Sequence, residues 1–377
     1  LTSIMANARA VMGGGGPMWH MASNRAAMSG ASMTQPSIAT GLIGFGLAGS
    51  AFHAPLIAAT PGLRLAGIAS SQKPAVAAAW PDVPVFADPA ALIADPSIEL
   101  VVIATPNASH APLARAALAA GRHVVIDKPF VADPDDGSVL IAAARTAGRV
   151  LSVFHNRRWD SDFRTVRSLV ESGALGEVMR CEMHWDRFRP AIKPGWREDP
   201  GMATGLLADL GPHLVDQALV LFGQPERVAA DVIAQRPEAR VDDAFTMTLH
   251  YGVRRVTLAA STLTLAPRPR FALHGTAGHF AIHGIDPQEA VLRAGGRIDD
   301  PAFGVQEPGL DGVLTLADGR RRTVPSERGD WRLYYAGMVA AIGDGAPPPV
   351  TPEDALAGLR VIDAARTSAR EGRTIAL

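Results

Sequence analysis

Between residues 39 and 153 the chain alternates regularly, without internal repeat of sequence: a short apolar run, a turn, an Ala/Leu-rich stretch of helical period, then another apolar run. The pattern predicts strands at 40–45, 63–69, 83–86, 100–104, 123–126 and 150–153, with helices at 49–59, 73–80, 88–94, 108–120 and 134–147 between them. Strands alternating with helices of this length are joined by crossovers, so the sheet they form is parallel and helices cover both of its faces. A doubly wound α/β arrangement of Rossmann type is the fold class that follows for residues 36–153.

The pattern changes beyond residue 153. After helices predicted near 160–173 and 204–222, Phe245, Met247 and Leu249 alternate with Thr246, Thr248 and His250. Val256 and Leu258 alternate in the same way with Arg255 and Thr257, and Tyr251-Gly252 supplies a turn between the two runs. Period-two alternation broken by turns predicts a large, open, mainly antiparallel sheet with one solvated face. Helices at 330–343 and 352–371 close the chain, the last opened by the cap Thr351-Pro352-Glu353. Residues 154–377 are therefore expected to form an α+β domain.

Composition excludes several classes. The 377 residues are 47% hydrophobic with a formal net charge of −1 and scattered basic residues, so neither nucleic acid nor an anionic membrane is expected as a partner. No apolar run reaches the roughly 18 residues of a membrane span. Cys181 stands alone and cannot form an internal disulfide, which fits a reducing cytoplasm. Residues 1–35 differ from the rest: six of the eleven methionines and the run Gly13–Gly16 lie there, without apolar periodicity. Disorder is expected for them. An over-extended reading frame or added leader, with Met33 as the working start, is the accompanying expectation, and removal of residues 1–32 should then leave activity unchanged.

Gly44-Phe45-Gly46-Leu47-Ala48-Gly49 follows the first predicted strand and opens the first helix. In such a G-x-G-x-x-G the first glycine permits a tight turn, the second lets backbone approach a pyrophosphate, and the third allows close helix packing. A dinucleotide is the expected cofactor. The carboxylate that usually grips the adenosine ribose some 20 residues later is missing, since no acidic residue falls between Ala54 and Pro81. Ser70, Ser71 and Lys73 offer hydroxyls and a cation instead, so NADP is expected in preference to NAD.

Two further segments fall at the carboxyl edge of the predicted sheet, where open α/β folds bind ligands. Thr105-Pro106-Asn107, with His110 beyond, turns into a helix and is assigned to the cofactor, although capping alone explains it equally well. Asp127-Lys128-Pro129 ends the fifth strand and puts a lysine at the nicotinamide end, where it can hold a substrate hydroxyl and share its proton. Asp209, His213 and Asp216 fall at i, i+4 and i+7 on one stripe of a helix. That stripe suits a structural pairing, a metal site or an acid-base pair. No third-ligand pattern accompanies it, so no metal is expected, and histidine has the pKa range an alcohol proton needs. Arg157, Arg158, Trp159, Trp196 and Arg197 are secondary candidates for cofactor or substrate contact, domain packing being their alternative use.

Taken together, the glycine loop, Thr105-Pro106-Asn107, Lys128-Pro129 and Asp209-Leu210-Gly211-x-His213-x-x-Asp216 resemble the Gfo/Idh/MocA oxidoreductases. The likeness runs from about residue 38 to the end. Phe52-His53-Ala54-Pro55-Leu56, Asn156-Arg157-Arg158-Trp159-Asp160, Trp196-Arg197 and Asp286-Pro287-Gln288-Glu289 are similar to the branch holding NADP-dependent scyllo-inositol dehydrogenases. The resemblance implies catalytic Lys128, Asp209 and His213, with substrate contacts from Lys128, Arg157, Trp159, Asp209 and His213. It also implies a sugar or cyclic polyol substrate and a homodimer or homotetramer built through the C-terminal sheet. Asp127 departs from the family's usual glutamate, which puts that carboxylate's contact in question. A non-catalytic dinucleotide sensor and a biliverdin-type reductase are the competing readings. Retention of both Lys128 and His213 counts against the sensor, and the intact Asp/His helix against the reductase.

Overall fold

A computed structural model describes residues 37–192, 198–201 and 204–377. The expectations for residues 1–35 and for Trp196 and Arg197 lie outside the described residues.

The first half is built from β1 (Ile38–Ile43), α1 (Ala54–Ala59), β2 (Leu63–Ala69), α2 (Lys73–Ala79), β3 (Val85–Phe86) and α3 (Pro89–Ala94). It continues through β4 (Leu100–Ile103), α4 (His110–Ala119), β5 (His123–Asp127), α5 (Pro134–Ala147) and β6 (Leu151–Phe154). All six strands are parallel in the order β3-β2-β1-β4-β5-β6. Because β1 connects outward to β2 while the neighbouring β4 connects to β5 on the other side, the connections diverge at the carboxyl ends of β1 and β4 and open a crevice there. Strands buried on both faces read as continuous apolar runs, and Val101, Val102, Val124, Val125 and Ile126 are fully buried.

The second half contains α6 (Ser161–Glu171), β7 (Val178–Asp186), α7 (Leu206–Phe222), β8 (Arg227–Ile233), β9 (Ala244–Tyr251) and β10 (Arg254–Ser261). After it come β11 (Phe271–Gly275), β12 (Gly278–Ile282), α8 (Gln288–Arg293), β13 (Gly312–Leu316), β14 (Arg321–Val324), α9 (Arg332–Gly343), α10 (Pro352–Glu371) and β15 (Ile375–Ala376). The nine-stranded order is β14-β13-β12-β11-β7-β10-β9-β8-β15. Pairing is antiparallel except between β7 and β10, which run parallel at the centre, so the sheet is mixed. The alternation seen in the sequence holds: Phe245, Met247 and Leu249 are buried, whereas Thr246 is exposed.

The two halves interlock through the C-terminal helices. Trp331, Tyr334, Tyr335, Met338, Leu356 and Leu359 belong to the core beneath the parallel sheet, while Val361, Ile362 and Ala365 of α10 belong to the core beneath the mixed sheet. This anchors α7, which packs on α10, so that its first turn meets Lys128 at the end of β5.

Candidate active site

The glycine loop shows three distinct uses of a missing side chain. Gly44 has φ +99°, and a Cβ there would stand 2.3 Å from the carbonyl oxygen of Ala104. A Cβ on Gly49 would meet Gly44 O at 2.2 Å, so this glycine lets the helical turn sit directly on the loop. At Gly46 a Cβ would meet nothing within 4 Å. Its bare backbone faces an open cavity of about 540 Å³. Ser70, Ser71 and Gln72 beyond β2, Asp88 beyond β3, Thr105 and Pro106 beyond β4, and Asp127 line the remainder. The cradle fits a dinucleotide: open backbone at Gly46 for the phosphates and short hydroxyl side chains beyond β2.

Several residues assigned to the cofactor from sequence stand elsewhere. Lys73 begins α2 and does not line the cavity. Asn107 is buried, and His110 is fully buried with Nδ1 at 2.9 Å from Pro129 O and Nε2 at 3.0 Å from Thr105 O. His110 therefore ties the loop after β4 to the cis Lys128–Pro129 turn after β5. These two residues shape the crevice without lining it, because the helical turn 107–109 and the start of α4 carry them into the interior. Conversely, Gln72 and Asp88 line the cavity and were missed. Asp88 lies beyond the interval in which a ribose carboxylate is sought, and strand order alone brings it to the same edge. Its Oδ1 accepts a hydrogen bond from Ala91 N and caps α3.

A second cavity of about 220 Å³ adjoins the first, and Leu47, Ala48 and Asp127 line both. Lys128 Nζ enters it from the end of β5 and donates to Asp209 Oδ1 at 2.9 Å and to Asp209 O at 2.8 Å. Asp209 lies in the first turn of α7, whose leading amides are held by Asp242: Leu206 N donates to its carbonyl and Leu207 N to its carboxylate. One helical turn later His213 lines the same cavity. Burial strips its imidazole of hydration, and Lys128 and Arg157 add positive charge nearby, so its pKa falls well below the ordinary histidine value. At neutral pH the ring is uncharged and able to accept a proton.

The polar stripe of α7 divides at its third member. Asp216 is buried away from the cavity, where Arg158 grips it through Nε at 2.9 Å and an NH2 nitrogen at 2.7 Å. Arg157 does line the cavity, held by Asp160 at 3.1 Å and by Glu289 and stacked on Trp185 with 4.2 Å to the ring centroid. Trp159, expected at the substrate, instead packs edge-on against Tyr334 with centroids 5.7 Å apart and does not line the cavity. The short helical turn 156–159 projects Arg157 and Trp159 in different directions. Arg187, Arg189, Glu289 and Arg293 line the cavity too, and none was singled out for this role from sequence. Their signal was present in Arg187-x-Arg189, a charged pair at strand spacing.

A parallel sheet with a bare-backbone crevice, and a lysine, carboxylate and imidazole beside it, define the class as a dinucleotide-binding oxidoreductase. The family follows from comparison. A model of an oxidoreductase family's NAD-binding Rossmann fold matches residues 38–155, and one of the same family's C-terminal alpha/beta domain matches residues 167–377. The chain belongs to the Gfo/Idh/MocA oxidoreductase family. It is 44% identical to the uncharacterized oxidoreductase YdgJ of Escherichia coli, over 90% of this chain and 99% of that one. It is 40% identical to the scyllo-inositol 2-dehydrogenase (NADP(+)) IolW of Bacillus subtilis, over 90% and 96%. Among solved structures, an oxidoreductase from Bacillus subtilis, yvaA, superposes with TM-score 0.88 at 39% identity, covering 91% of this chain and 99% of that one. Among the described residues, no helix is long and apolar enough to cross a membrane.

Proposed function

We propose that this protein is an NADP-preferring dehydrogenase that interconverts a secondary alcohol and a ketone on a compact sugar or cyclic polyol. The observation that carries the reading is the convergence of Lys128, Asp209 and His213 in a cavity of about 220 Å³ that shares Leu47, Ala48 and Asp127 with the glycine-loop crevice. A nicotinamide dinucleotide, when bound, supplies the hydride acceptor or donor. Lys128 holds the reacting hydroxyl oxygen through its ammonium hydrogens. Neutral His213 takes the hydroxyl proton during oxidation and returns it during reduction. Asp209 fixes the position of Lys128. A cavity below the roughly 300–1,000 Å³ of drug-sized sites suits a monosaccharide or inositol better than an extended tetrapyrrole.

The NADP preference is supported by Ser70 and Ser71 at the end of β2, by the absence of acidic residues from 55 to 80, and by Asp88 already serving as a helix cap. Action in the cytoplasm as a homo-oligomer joined through the mixed sheet completes the proposal, and light scattering of the purified protein tests the assembly. The principal experiment follows NADP and NAD reduction spectrophotometrically with inositols, aldoses and their keto forms. Activity on at least one polyol, with lower KM for NADP than for NAD, is expected. Absence of turnover with every polyol and ketone, neutral or anionic, defeats the reading.

A further inference from the structure

Resting on that dehydrogenase reading, we infer that the compound bound in the smaller cavity carries an anionic oxygen group, a carboxylate or phosphate, which Arg187 and Arg189 hold away from the reacting carbon. β7 continues past Asp186 as extended chain: Arg187 N donates to Ser261 O, Arg189 N to Thr262 O, and Phe188 bridges Leu263. Period two therefore puts both arginines on the same side as buried Trp185, with Arg187 at 6.0 Å from its ring centroid, while Phe188 points outward and is 52% exposed.

Charge pairing around the cavity isolates these two groups. Lys128 is paired with Asp209, Arg157 and Arg293 share Glu289, and Asp127 lies beside His53. Among the described residues no carboxylate forms an ion pair within 4.0 Å of either Arg187 or Arg189, and the remaining stretches of sequence contain no Asp or Glu. Arg187 is half-buried, and this burial together with the neighbouring Arg189 destabilises its guanidinium more than the more distant charges of Asp209 and Glu289 stabilise it. Five cationic side chains, Lys128, Arg157, Arg187, Arg189 and Arg293, line the small cavity against three carboxylates, Asp127, Asp209 and Glu289, and this surplus of positive charge is poorly matched to a neutral polyol. An oxyanion relieves the repulsion through charge-assisted hydrogen bonds of fixed geometry.

The test uses the full chain saturated with NADP. Five- and six-carbon aldonates, uronates and sugar phosphates are compared with their neutral counterparts by kcat/KM, and inorganic phosphate is titrated calorimetrically. The anionic forms should exceed the neutral ones by roughly 10- to 100-fold, the worth of one or two charge-assisted hydrogen bonds. Arg187→Leu should collapse this ratio and weaken phosphate binding, Arg187→Lys should retain part of both, and NADP affinity should change by less than the ratio does. Whether uronates or sugar phosphates gain more identifies the group. Equal handling of charged and neutral forms, a preference indifferent to Arg187→Leu, or an equal loss of NADP affinity overturns the inference, the last by moving Arg187 onto the cofactor's phosphates. Arg187-dependent anion binding without turnover of any compound defeats the dehydrogenase reading while upholding the anion site. Turnover of neutral polyols with no anion preference does the reverse.

Discussion

The two adjoining cavities are built on opposite principles. The larger one is walled by backbone and short side chains at the ends of β1, β2 and β4, and its defining feature is an absence, the missing Cβ of Gly46. The smaller one is walled by long charged side chains from β5, the 156–159 turn, the extension of β7, α7 and α8. A site of bare backbone is specified by a contiguous motif. A site of side chains is specified by the register of elements far apart in the chain. The first is suited to a ligand common to many enzymes, the second to a ligand that differs among them.

The sharpest separation of the two comes from the catalytic group. Lys128→Ala and His213→Gln should each lower kcat by roughly 10² to 10⁴ while NADP affinity, measured by fluorescence titration, stays near that of the parent. Near-normal turnover in either variant removes that residue from the proton path. Next in size is the stripe on α7, of which only two members face the cavity. Arg158→Met leaves Asp216 buried without its partner, which should destabilise the fold by about 3–5 kcal/mol in urea unfolding. The KM of the folded fraction should be little changed. A large rise in KM with unaltered stability would instead assign Arg158 to the substrate.

Within the glycine loop itself, Gly46→Val should weaken NADP binding, since each charge-assisted hydrogen bond kept from a phosphate forfeits about 1.5–3 kcal/mol. Saturating kcat should survive. The backbone at Gly46 is not in the left-handed region and a Cβ there meets no atom, so folding should be unaffected. Gly44→Ala is the contrasting control, because its strain and its collision with Ala104 O fall on the fold. Unchanged NADP affinity in Gly46→Val would show that phosphates do not approach this backbone. A smaller, pH-dependent effect belongs to the side-chain cavity. His213 is buried with a folded-state pKa well below 6.5, so the unfolded chain binds the proton more readily. Stability is complete above about pH 6.5 and is lost as pH falls toward the folded value, by up to about 1.4 kcal/mol per pH unit. Asp286, pushed up to about 6 by burial, acts in the opposite sense below that pH. The difference between the parent and His213→Gln unfolding curves at pH 7.5 and 5.5 isolates the histidine. Parallel pH dependence of the two would contradict the assigned burial of charge.

These contrasts explain what could be read in advance. Local signals were reliable where the chemistry is local: α10 runs Pro352–Glu371 as its cap implied, and the side chain of Thr351 accepts from Asp354 N. The loop Gly44–Gly49 and the place of Lys128 at the carboxyl edge of the sheet also followed from short motifs and strand polarity, whereas its meeting with the α7 segment was implied by the family resemblance. The parallel pairing of β7 with β10 did not, because those strands are separated by α7, β8 and β9 and alternate apolar and polar residues like any antiparallel strand. The separate fates of Arg157 and Trp159, and of His213 and Asp216, were not legible for a related reason. Helical spacing puts residues on one face without saying how deep each lies, and Asp216, one turn beyond His213, meets Arg158 instead of the cavity. Asp88 depended on β3 closing the sheet edge beside β2, a fact of strand order that no window of sequence contains.

Asp127 lines both cavities and offers the finest test of their independence. Its Oδ1 stops 3.6 Å from His53 Nε2, too far for a hydrogen bond, and that buried nitrogen has no other partner among the described residues. On its far side His53 Nδ1 meets Tyr335 OH at 2.6 Å, so the ring is held from α9 and cannot move to close the gap. Burial disfavours ionisation of Asp127, but His53 and Lys128 outweigh it and hold the carboxyl below its usual range. Asp127→Glu adds one methylene, enough to bring a carboxylate oxygen to His53, and should stabilise the protein by about 1 kcal/mol in urea unfolding. If the two cavities act separately, the KM values for NADP and for substrate should shift by different factors, since the longer side chain withdraws toward His53 and alters the wall of each differently. A loss of stability would mean that the space beside Phe154 and His53 is already filled to its limit. Equal shifts in both KM values would join the two cavities into one site at this residue.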